Sequence, residues 1–540
     1  MKSALHVLMV ASENDGIKTA AGQDAKAGGI GDVVRDIAPA LASLHNCRIT
    51  VVIPSYGFLD KLEGARLLDI YHFSFAGSRE GIMLLQVPGK TPNPKVRHLV
   101  LHHARFASRD RETNQLEIYC DDPPERPFAT DATKYACFCA AVAEGLKRKL
   151  FGEVNRVHLH DWHAAFLLIL RAFDESFGTL LRELRTVYTI HNLALQGIRP
   201  LRGDPSSLEM WYPHIALKTT DKLLDPEYRD CLNPMAIGVR LSDAVHVVSP
   251  GYKSAILAPS IPRRNDPDAY YYGGEGLEGD LQTADREDRL FGILNGCDYD
   301  ERKLPPRDLP AYRQLLQLLE DTVSRGASKA AVHHLALKRI QLLRAGARRP
   351  KVLLTCVTRI VNQKLRLMHA DAGHGKPSLE QILEGLSADG VLILLGTGDR
   401  DLARFLFDVS NRFHNFVFVN VFNNDCAGGL YANGDLFLMP SSFEPCGISQ
   451  MLAMRDGQPC VVHHTGGLKD TVQDGRTGFA FGGERLEAQA KNFVHTVFRA
   501  INILSEDTAG FQAIRETAFQ QRFLWGDTVR QYVHYLYRSE

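Results

Sequence analysis

One short apolar run constrains the fold of this chain more than any other feature. Residues 436–439 are Leu, Phe, Leu and Met, and they lie between Gly434 and Pro440. Four apolar residues bounded by turn-forming residues are typical of a strand buried on both faces, as in a parallel sheet. A polar turn (441–445) follows, and residues 446–454 have the pattern of a helix. The stretch therefore predicts a parallel strand, a tight turn and a helix in succession.

The turn between this strand and helix has the composition of a ligand site. The first N–H groups of a helix lack partners within the helix and point at whatever occupies the preceding turn. Gly447 lets a ligand approach the backbone closely. Glu444 cannot neutralise a phosphate, so it should face a neutral, hydroxyl-rich part of the ligand. A sugar next to a phosphate has both properties; the alternative is an ordinary strand–turn–helix with a surface glutamate.

Alternating strands and helices are predicted along the whole chain. Such alternation favours parallel sheets covered by helices on both faces. We therefore predict an α/β fold with two doubly wound, Rossmann-like domains facing each other across a cleft. The predicted strands are 5–11, 48–54, 82–87, 96–101, 154–160, 185–190, 243–249, 290–294, 351–357, 391–395, 416–422 and 459–463. Helical spacing is found in 33–44, 129–150, 164–173, 250–257, 485–520 and 523–537.

The junction between the two predicted domains is expected just after residue 290. Residues 259–289 are rich in Pro, Gly and charge, which predicts a loop, and a short strand with an Asn-Gly turn follows them. The basic stretch 300–350 is expected to form helices before the second sheet begins at residue 351.

Composition limits the possible partners and the compartment. Lys plus Arg and Asp plus Glu both number 63, so the net charge is zero, and neither a nucleic-acid nor an acidic-membrane partner is expected. Ten Cys without paired metal-type spacing favour a reducing compartment. The first apolar run is too short for a usual signal peptide, and no apolar segment is long enough to span a membrane. A cytoplasmic location is therefore expected.

Polar residues follow several predicted strands at their carboxyl ends, where parallel sheets place their ligands. A glycine-bearing loop, which contains Lys26, Gly28, Gly29 and Asp32, follows the first strand. Its spacing fits neither the dinucleotide fingerprint nor the P-loop, because the gap after the strand is long and Lys26 precedes the glycines. Its backbone N–H groups, Lys26 and Asp32 are expected to face the cleft.

Two further strand ends carry candidate residues in the first half of the chain. Asp161 follows the strand at 154–160, and His191 follows the strand at 185–190. A capping aspartate and a packed core are the ordinary alternative. In the second half, Arg359 and Lys364 follow the strand at 351–357. Two fixed cations at one strand end suit a diphosphate leaving group.

Taken together, these motifs resemble the bacterial glycogen synthase and plant starch synthase family of retaining glycosyltransferases. Each motif is modest alone, but their order and spacing are specific, and the resemblance covers nearly the whole chain. It rests on 26–32 (KAGGIGD), 161–163 (DWH), 189–193 (TIHNL), 274–277 (GEGL), 293–296 (ILNG), Arg359 with Lys364, 443–447 (FEPCG) and 465–468 (TGGL).

The resemblance implies a reaction and an architecture. The reaction is transfer of glucose from ADP-glucose, or alternatively UDP-glucose, to the non-reducing end of an α-1,4-glucan with retention, and without a metal or other cofactor. The architecture is the GT-B type. It implies an acceptor-side catalytic domain (1–292), a nucleotide-sugar-binding domain (293–522) and a C-terminal helix (523–540) that crosses back onto the first domain.

The resemblance also implies roles for individual residues. Glu444 would hold a sugar hydroxyl, with Cys446 and Gly447 beside it. Ser449 would contact phosphate, and Phe422 is predicted to stack on the base. The remaining candidates, which would contact glucose or the acceptor from the first domain, are His191, Asp161 and Asn295.

Two positions depart from the family pattern. The family commonly has Gly after the Gln-Lys pair, where this chain has Leu365, and often has Arg before Thr-Gly-Gly, where this chain has His463 and His464. Both departures fall on the expected donor side and leave the choice of nucleotide open.

Three other classes of protein make predictions that differ from those of this family. A non-catalytic glucan-binding relative predicts loss of Lys26, Arg359, Lys364 or Glu444, and all four are present. A dinucleotide-dependent oxidoreductase predicts a G-x-G-x-x-G after a strand, which is not found. A glycogen phosphorylase requires a lysine that forms a Schiff base with pyridoxal phosphate, and nothing singles out such a lysine.

Overall fold

Two separate sheets organise the chain. The structure is a computed structural model that describes residues 5–19, 24–44, 46–109, 114–216, 220–262, 269–299, 301, 303–325, 331–386, 389–421 and 423–538. The first sheet is built from strands between residues 5 and 292, and the second from strands between residues 352 and 481. The predicted α/β architecture with two parallel sheets is confirmed.

The first sheet has the strand order β13-β12-β9-β8-β1-β2-β5-β4-β3, and all of its strands are parallel except β4. Two short antiparallel pairs, β6 with β7 and β10 with β11, lie outside it. The strands of this half are β1 (Leu5–Val10), β2 (Cys47–Pro54), β3 (Arg66–Phe75), β4 (Ser78–Val87), β5 (Val96–His102), β6 (Ser108–Arg109), β7 (Leu116–Glu117), β8 (Arg156–His160), β9 (Arg185–Ile190), β10 (Arg199–Pro200), β11 (Cys231–Leu232), β12 (Ala244–Val247) and β13 (Leu290–Gly292).

Helices cover both faces of the first sheet, because its central strands are apolar on both sides. Residues of α1 pack on the face that carries Val7 and Met9, and residues of α2, α3 and α7 pack on the face that carries Leu8 and Val10. The helices of this half are α1 (Gly29–Ala42), α2 (Ala129–Lys147), α3 (Asp161–Phe173), α4 (Gly178–Glu183), α5 (Leu208–Trp211), α6 (Pro213–Ala216), α7 (Pro234–Leu241), α8 (Pro250–Ile256) and α9 (Glu278–Arg286).

The second sheet is fully parallel and also doubly wound. Its order is β16-β15-β14-β17-β18-β19, formed by β14 (Val352–Val357), β15 (Gly390–Leu395), β16 (Phe416–Val419), β17 (Leu436–Met439), β18 (Cys460–His463) and β19 (Gly478–Phe481). Its helices are α10 (Leu309–Arg325), α11 (Ala331–Ala345), α12 (Asn362–His369), α13 (Ser378–Gly385), α14 (Arg400–Arg412), α15 (Asn424–Asn433), α16 (Ser449–Arg455), α17 (Leu468–Thr471), α18 (Leu486–Glu506) and α19 (Thr508–Gln520).

The end of the chain returns to the first half. Helix α20 (Trp525–Gln531) and a π-helical turn (Tyr532–Leu536) follow α19. Trp525 and Leu536 share an apolar core with Val7 and Met9 of β1. The Thr528 hydroxyl donates to the Leu294 carbonyl at 2.8 Å, which ties α20 to the segment after β13. The predicted return of the C-terminal helix to the first half is therefore confirmed.

Some predicted elements were wrong in extent or kind. The loop predicted for 259–289 contains helix α9, whose weak signal arises because only Leu281 and Ala284 are buried in it; residues 263–268 lie outside the described ranges. The helix predicted from residue 446 begins at Ser449, and the helix predicted from Val33 already begins at Gly29. Strand β3 and its hairpin with β4 were missed. None of the helices within the described ranges combines the length and the apolar composition that a membrane-spanning helix requires.

Candidate active site

The turn after β17, residues 440–448, lies against the first half of the chain. The Phe443 ring packs on Tyr252 and Tyr272, with ring centroids 5.3 and 5.8 Å apart. The Ser249 hydroxyl, which follows β12, donates to the Pro445 carbonyl at 2.6 Å. Because β17 belongs to the second sheet and β12 to the first, this turn is a junction between the two halves at the carboxyl ends of their strands.

Glu444 is buried in this turn, with 5% of the residue exposed. Its Oε2 accepts hydrogen bonds from the Lys364 ammonium and from the Ser441 hydroxyl, the latter at 3.1 Å. Its Oε1 makes no hydrogen bond to a described residue. A carboxylate can accept about four hydrogen bonds, so Glu444 keeps acceptor capacity for a ligand hydroxyl.

The glycine turn between β18 and α17 holds the backbone of Glu444 in place. Gly467 N–H donates to the Glu444 carbonyl at 2.9 Å. Gly466 has a φ of +46°, and a Cβ at this position would clash with the same carbonyl. Only glycine can adopt this positive φ and also leave room for the Glu444 carbonyl without strain. The TGGL motif thus supports the carboxylate-bearing turn from behind.

Lys364 and Arg359, which were predicted to act together, have different surroundings. Lys364 is the third residue of α12 and forms a largely buried ion pair with Glu444. Arg359 is exposed and makes no ion pair with any described residue. Its Nη1 lies 3.7 Å from the position that a Cβ on Gly28 would occupy. The Arg359 guanidinium therefore faces the glycine loop of the first half across the cleft.

The glycine loop after β1 does not present its amides to the cleft as predicted. Ala27, Gly28 and Gly31 N–H groups all donate to Oε2 of Glu13, at 2.9, 2.7 and 3.3 Å. The Tyr119 hydroxyl donates to the other oxygen at 2.6 Å. An internal carboxylate thus occupies the anion site that helix α1 and its preceding loop would otherwise offer. Gly29, the first residue of α1, is exposed and has no heavy atom within 4 Å of a built Cβ.

Lys26 and Asp32 of the same loop belong to an ion cluster. The Lys26 ammonium lies 2.7 Å from Asp32 and 3.5 Å from the buried Asp15, and Arg35 contacts both carboxylates. Burial alone would lower the pKa of Lys26, but Asp32 and Asp15 raise it above its ordinary value. Lys26 is therefore held charged at the start of α1.

Asp161 and His191 meet at the carboxyl ends of β8 and β9. Asp161 is buried and has a φ of +54°, which is unusual for a residue other than glycine and marks local strain. Its Oδ1 accepts the N–H of His191 at 2.6 Å. Burial raises the pKa of Asp161 to about 8, although hydrogen bonds from the His191 and Asn192 backbone oppose the shift. Asp161 therefore positions the turn that carries His191.

The remaining candidates around Glu444 are placed as follows. Cys446 is buried and accepts a backbone hydrogen bond from Asn295, while burial raises the pKa of its thiol to about 12. Oδ1 of Asn295 is buried and has no hydrogen-bond partner among the described residues. Gly447 has a φ of +75°, and Ser449 is the first residue of α16 and hydrogen-bonds to Tyr431. Phe422, predicted to stack on a base, lies outside the described residues.

The two departures from the family pattern have structural roles. Leu365 is 1% exposed and points into the core of the second half rather than into the cleft. His463 is buried, and its Nδ1 lies 3.1 Å from the Ser441 carbonyl, while its ring stacks on Phe481. The Leu365 and His463 side chains thus support the fold beside the site, whereas His464, the third residue of these departures, is exposed.

Two residues of the site, Glu13 and Gln363, were missed in the sequence. Glu13 follows β1 at its carboxyl end, so the strand-end rule could have identified it. Gln363 donates to the Phe443 carbonyl at 2.8 Å and accepts from the Asn192 amide at 3.2 Å, which links the halves. Gln363 immediately precedes Lys364, but its side chain carries no charge that would mark it as a candidate. Within the described ranges, no three His, Cys, Asp or Glu side chains are grouped to hold a metal ion. That no metal is needed stays a prediction.

Comparisons with known proteins agree with this arrangement. The family described as "Starch synthase catalytic domain" matches residues 6–283, and "Glycosyl transferases group 1" matches residues 348–497. The glycogen synthase of Streptococcus equi subsp. equi is 30% identical over 525 residues, covering 95% of this chain and 97% of that protein. Glycogen synthase 2 of Geobacter sulfurreducens is 32% identical over 489 residues, covering 88% of each. The catalytic domain of starch synthase IV from Arabidopsis thaliana, bound to ADP and acarbose, superposes with a TM-score of 0.75 at 25% identity over 99% of both chains.

Two doubly wound sheets that meet at a shared cleft, together with matches to two glycosyltransferase family models, identify the chain as a glycosyltransferase of the GT-B class. Within that class, the chain belongs to the starch synthase catalytic domain family, which includes the bacterial glycogen synthases. The predicted family and enzyme class are both confirmed.

Proposed function

We propose that the protein transfers glucose from ADP-glucose to the non-reducing end of an α-1,4-glucan with retention of configuration. The observation that carries this proposal is that two polar groups at the same cleft are both available to bind a ligand. Oε1 of Glu444 has no described partner, and the Arg359 guanidinium has none either. The first group suits a sugar hydroxyl, and the second suits a phosphate. Similarity to glycogen synthases, and to the structure of a starch synthase IV bound to ADP and acarbose, supports a nucleotide sugar and a glucan as substrates.

The charges that develop in the reaction match these groups. Breaking the glycosidic C–O bond leaves negative charge on the diphosphate and positive charge on the sugar ring. Arg359 would contact the diphosphate directly from the second half. Lys364 would share its ammonium between Glu444 and the leaving group. Charged groups that the fold already holds in place stabilise the transition state without having to move during the reaction. Such preorganised stabilisation is usually the largest contribution to rate acceleration.

The first half would supply the acceptor side. His191, the turn positioned by Asp161, and Asn295 would surround the transferred glucose, with Glu444 holding one of its hydroxyls. The orphaned Oδ1 of Asn295 is an acceptor suited to a sugar hydroxyl. We propose attack by the acceptor on the same face as the departing diphosphate, because no carboxylate is assigned as nucleophile. Lys26 and Asp32 would act through the ion cluster that holds α1.

We also propose the boundaries 1–292 and 293–522 for the two domains, with 523–540 as the returning helix. Ser249 and Pro445 come from different domains, so the site would be complete only when these domains meet. Closure of this kind excludes water that would otherwise hydrolyse the donor. The cytoplasmic location and the stacking role of Phe422 remain predictions.

Incorporation of labelled glucose into glycogen tests the proposal. ADP-glucose and UDP-glucose are run in parallel without added metal, with wild-type protein, Glu444→Ala and the exposed control Glu287→Ala. Incorporation from ADP-glucose that is lost in Glu444→Ala and kept in Glu287→Ala is the expected result. Incorporation from UDP-glucose alone would mean that UDP-glucose rather than ADP-glucose is the donor, and the protein would still be a glycosyltransferase. Glycogen binding without incorporation from either donor would favour the non-catalytic alternative.

A further inference from the structure

Two histidine rings lie in direct contact at the edge of the candidate site. His160 is the last residue of β8, and His191 follows the neighbouring parallel strand β9. Nδ1 of His160 lies 3.0 Å from Nε2 of His191, and the two rings are 26° from parallel with centroids 5.3 Å apart. One of the two nitrogens must therefore donate a hydrogen bond and the other accept it.

Both rings are neutral at pH 7. Burial lowers the pKa of His160 and of His191 well below the ordinary value for histidine. A neutral imidazole carries one N–H and one lone pair, so each ring has a single donor. Only two arrangements of protons satisfy the hydrogen bond, and they place the free N–H at opposite ends of the pair.

The surroundings of His160 distinguish between these arrangements. Its Nε2 is buried and has no hydrogen-bond partner among the described residues. Orphaned buried N–H groups are rarer in native proteins than acceptors with an unused lone pair. The hydrogen-bond network therefore assigns the proton of His160 to Nδ1, which donates to Nε2 of His191.

This assignment determines the state of His191. Because Nε2 of His191 accepts, its proton sits on Nδ1, which makes no hydrogen bond to a described residue. His191 is also partly exposed, whereas His160 is buried. We propose that His160 is a positioning residue that fixes His191 as the Nδ1–H tautomer, so that the ring donates a hydrogen bond to an oxygen of the bound sugar. The sugar contact rests on the proposed function, whereas the tautomer does not.

A second histidine holds His160 in place. The rings of His158 and His160 stack with centroids 4.4 Å apart. Nδ1 of His158 lies 2.7 Å from the Tyr537 hydroxyl, and its Nε2 lies 2.6 Å from the Thr189 hydroxyl. Because both of its nitrogens are bonded, His158 cannot rotate freely, and it presents a fixed face to His160. The tail of the chain thereby contributes to the orientation of His191.

The tautomer can be measured on the resting protein. In protein labelled with 15N-histidine, the protonated and unprotonated nitrogens of a neutral imidazole give well-separated signals, and His160→Asn and His191→Gln assign the two rings. We expect His160 and His191 both to be Nδ1–H tautomers in the wild type. An Nε2–H signal for His191 would overturn the proposal, whatever the activity of the protein.

Three variants test the positioning role. His160→Phe keeps a ring but removes the donor, and we expect turnover to fall roughly five- to tenfold as His191 loses its fixed tautomer. In His160→Asn, the side-chain amide can still donate to His191, so turnover should stay within about threefold of wild type. The matched control is His163→Phe, which removes another buried histidine with an unpartnered nitrogen but without a bond to His191.

These results separate the inference from the proposed function. If His160→Phe keeps both the His191 signals and the turnover of the wild type, the positioning role is refuted. Full activity of His191→Phe, which keeps a ring but removes the donor, would refute the contact to the sugar, while the measured tautomer would still stand. If His160→Phe does not fold, the spectrum of the wild type alone decides the tautomer.

Discussion

The buried ion pair between Lys364 and Glu444 gives the sharpest test of the site. Replacing Lys364 by Met keeps an unbranched side chain of similar length and removes the ammonium, with both its charge and its N–H donors. Side-chain exposures of 14% and 7% mean that water cannot fully replace the lost partner. The variant therefore separates what the ammonium does for the fold from what it does for the reaction.

The expected loss of stability follows from the burial of Glu444. Removing one partner of a buried ion pair costs about 3–5 kcal/mol, because the other charge stays buried. Glu444 retains the Ser441 hydroxyl as a donor, so the lower end, about 3 kcal/mol, is expected. Turnover should fall by roughly 10²–10³-fold, the scale for losing one preorganised contact to developing charge.

The assay combines urea unfolding with glucose transfer at saturating donor. Glu444→Gln and the double variant complete a thermodynamic cycle, and Lys376→Met is the control because its pair with Glu384 is exposed. If the pair only supports the fold, the double variant should regain turnover together with stability. Regained turnover in the double variant, or near-normal turnover in Lys364→Met, would refute the catalytic assignment.

Three further predictions concern other parts of the site. Arg359→Ala should lower turnover roughly a hundredfold, while the free energy of unfolding changes by less than about 0.5 kcal/mol because the side chain is exposed and has no described partner; a large loss of stability would contradict this. Glu13→Gln should cost about 1–3 kcal/mol in urea unfolding, because three amide hydrogen bonds lose their charged acceptor, and an unchanged midpoint would show that the glycine loop does not depend on the charge. Burial raises the folded-state pKa of Asp161 to about 8, above its unfolded value of about 4, so the contribution of this carboxyl to stability falls as pH rises between these two values. The stability of the wild type relative to Asp161→Asn, which still accepts the His191 N–H, should therefore fall over the same range. Thermal-unfolding curves of the two proteins that keep a constant separation would argue against a buried carboxyl with a raised pKa.

The strands that build the site were largely predictable from the sequence. Short apolar runs such as 185–190 and 436–439 appear as strands β9 and β17, because burial on both faces leaves an uninterrupted apolar signal. The sites at their carboxyl ends follow from the geometry of parallel sheets. Asp161 and His191 were selected on this basis, and the structure brings them together.

The contacts between candidate residues were not predictable in the same way. Lys364 and Glu444 are 80 positions apart, and both were expected to face the ligand rather than each other. The glycine loop has the composition of an anion site, but composition cannot show that Glu13 already fills it. Such pairings form because the tertiary fold brings distant segments of the chain into contact. A local sequence pattern does not indicate which acceptor a given donor will contact.

The return of the tail to the first half also has a consequence for synthesis. Residues 525–537 complete the apolar core around β1, yet they leave the ribosome more than 230 positions after β13. At a synthesis rate of about 5–20 residues per second, the apolar face of the first sheet that carries Val7 and Met9 stays without its C-terminal cover for roughly 10–50 s. A chain that stops short of Trp525 would leave this apolar face exposed to chaperones and proteases. The apolar core of the first half is thus complete only after nearly the whole chain has been translated.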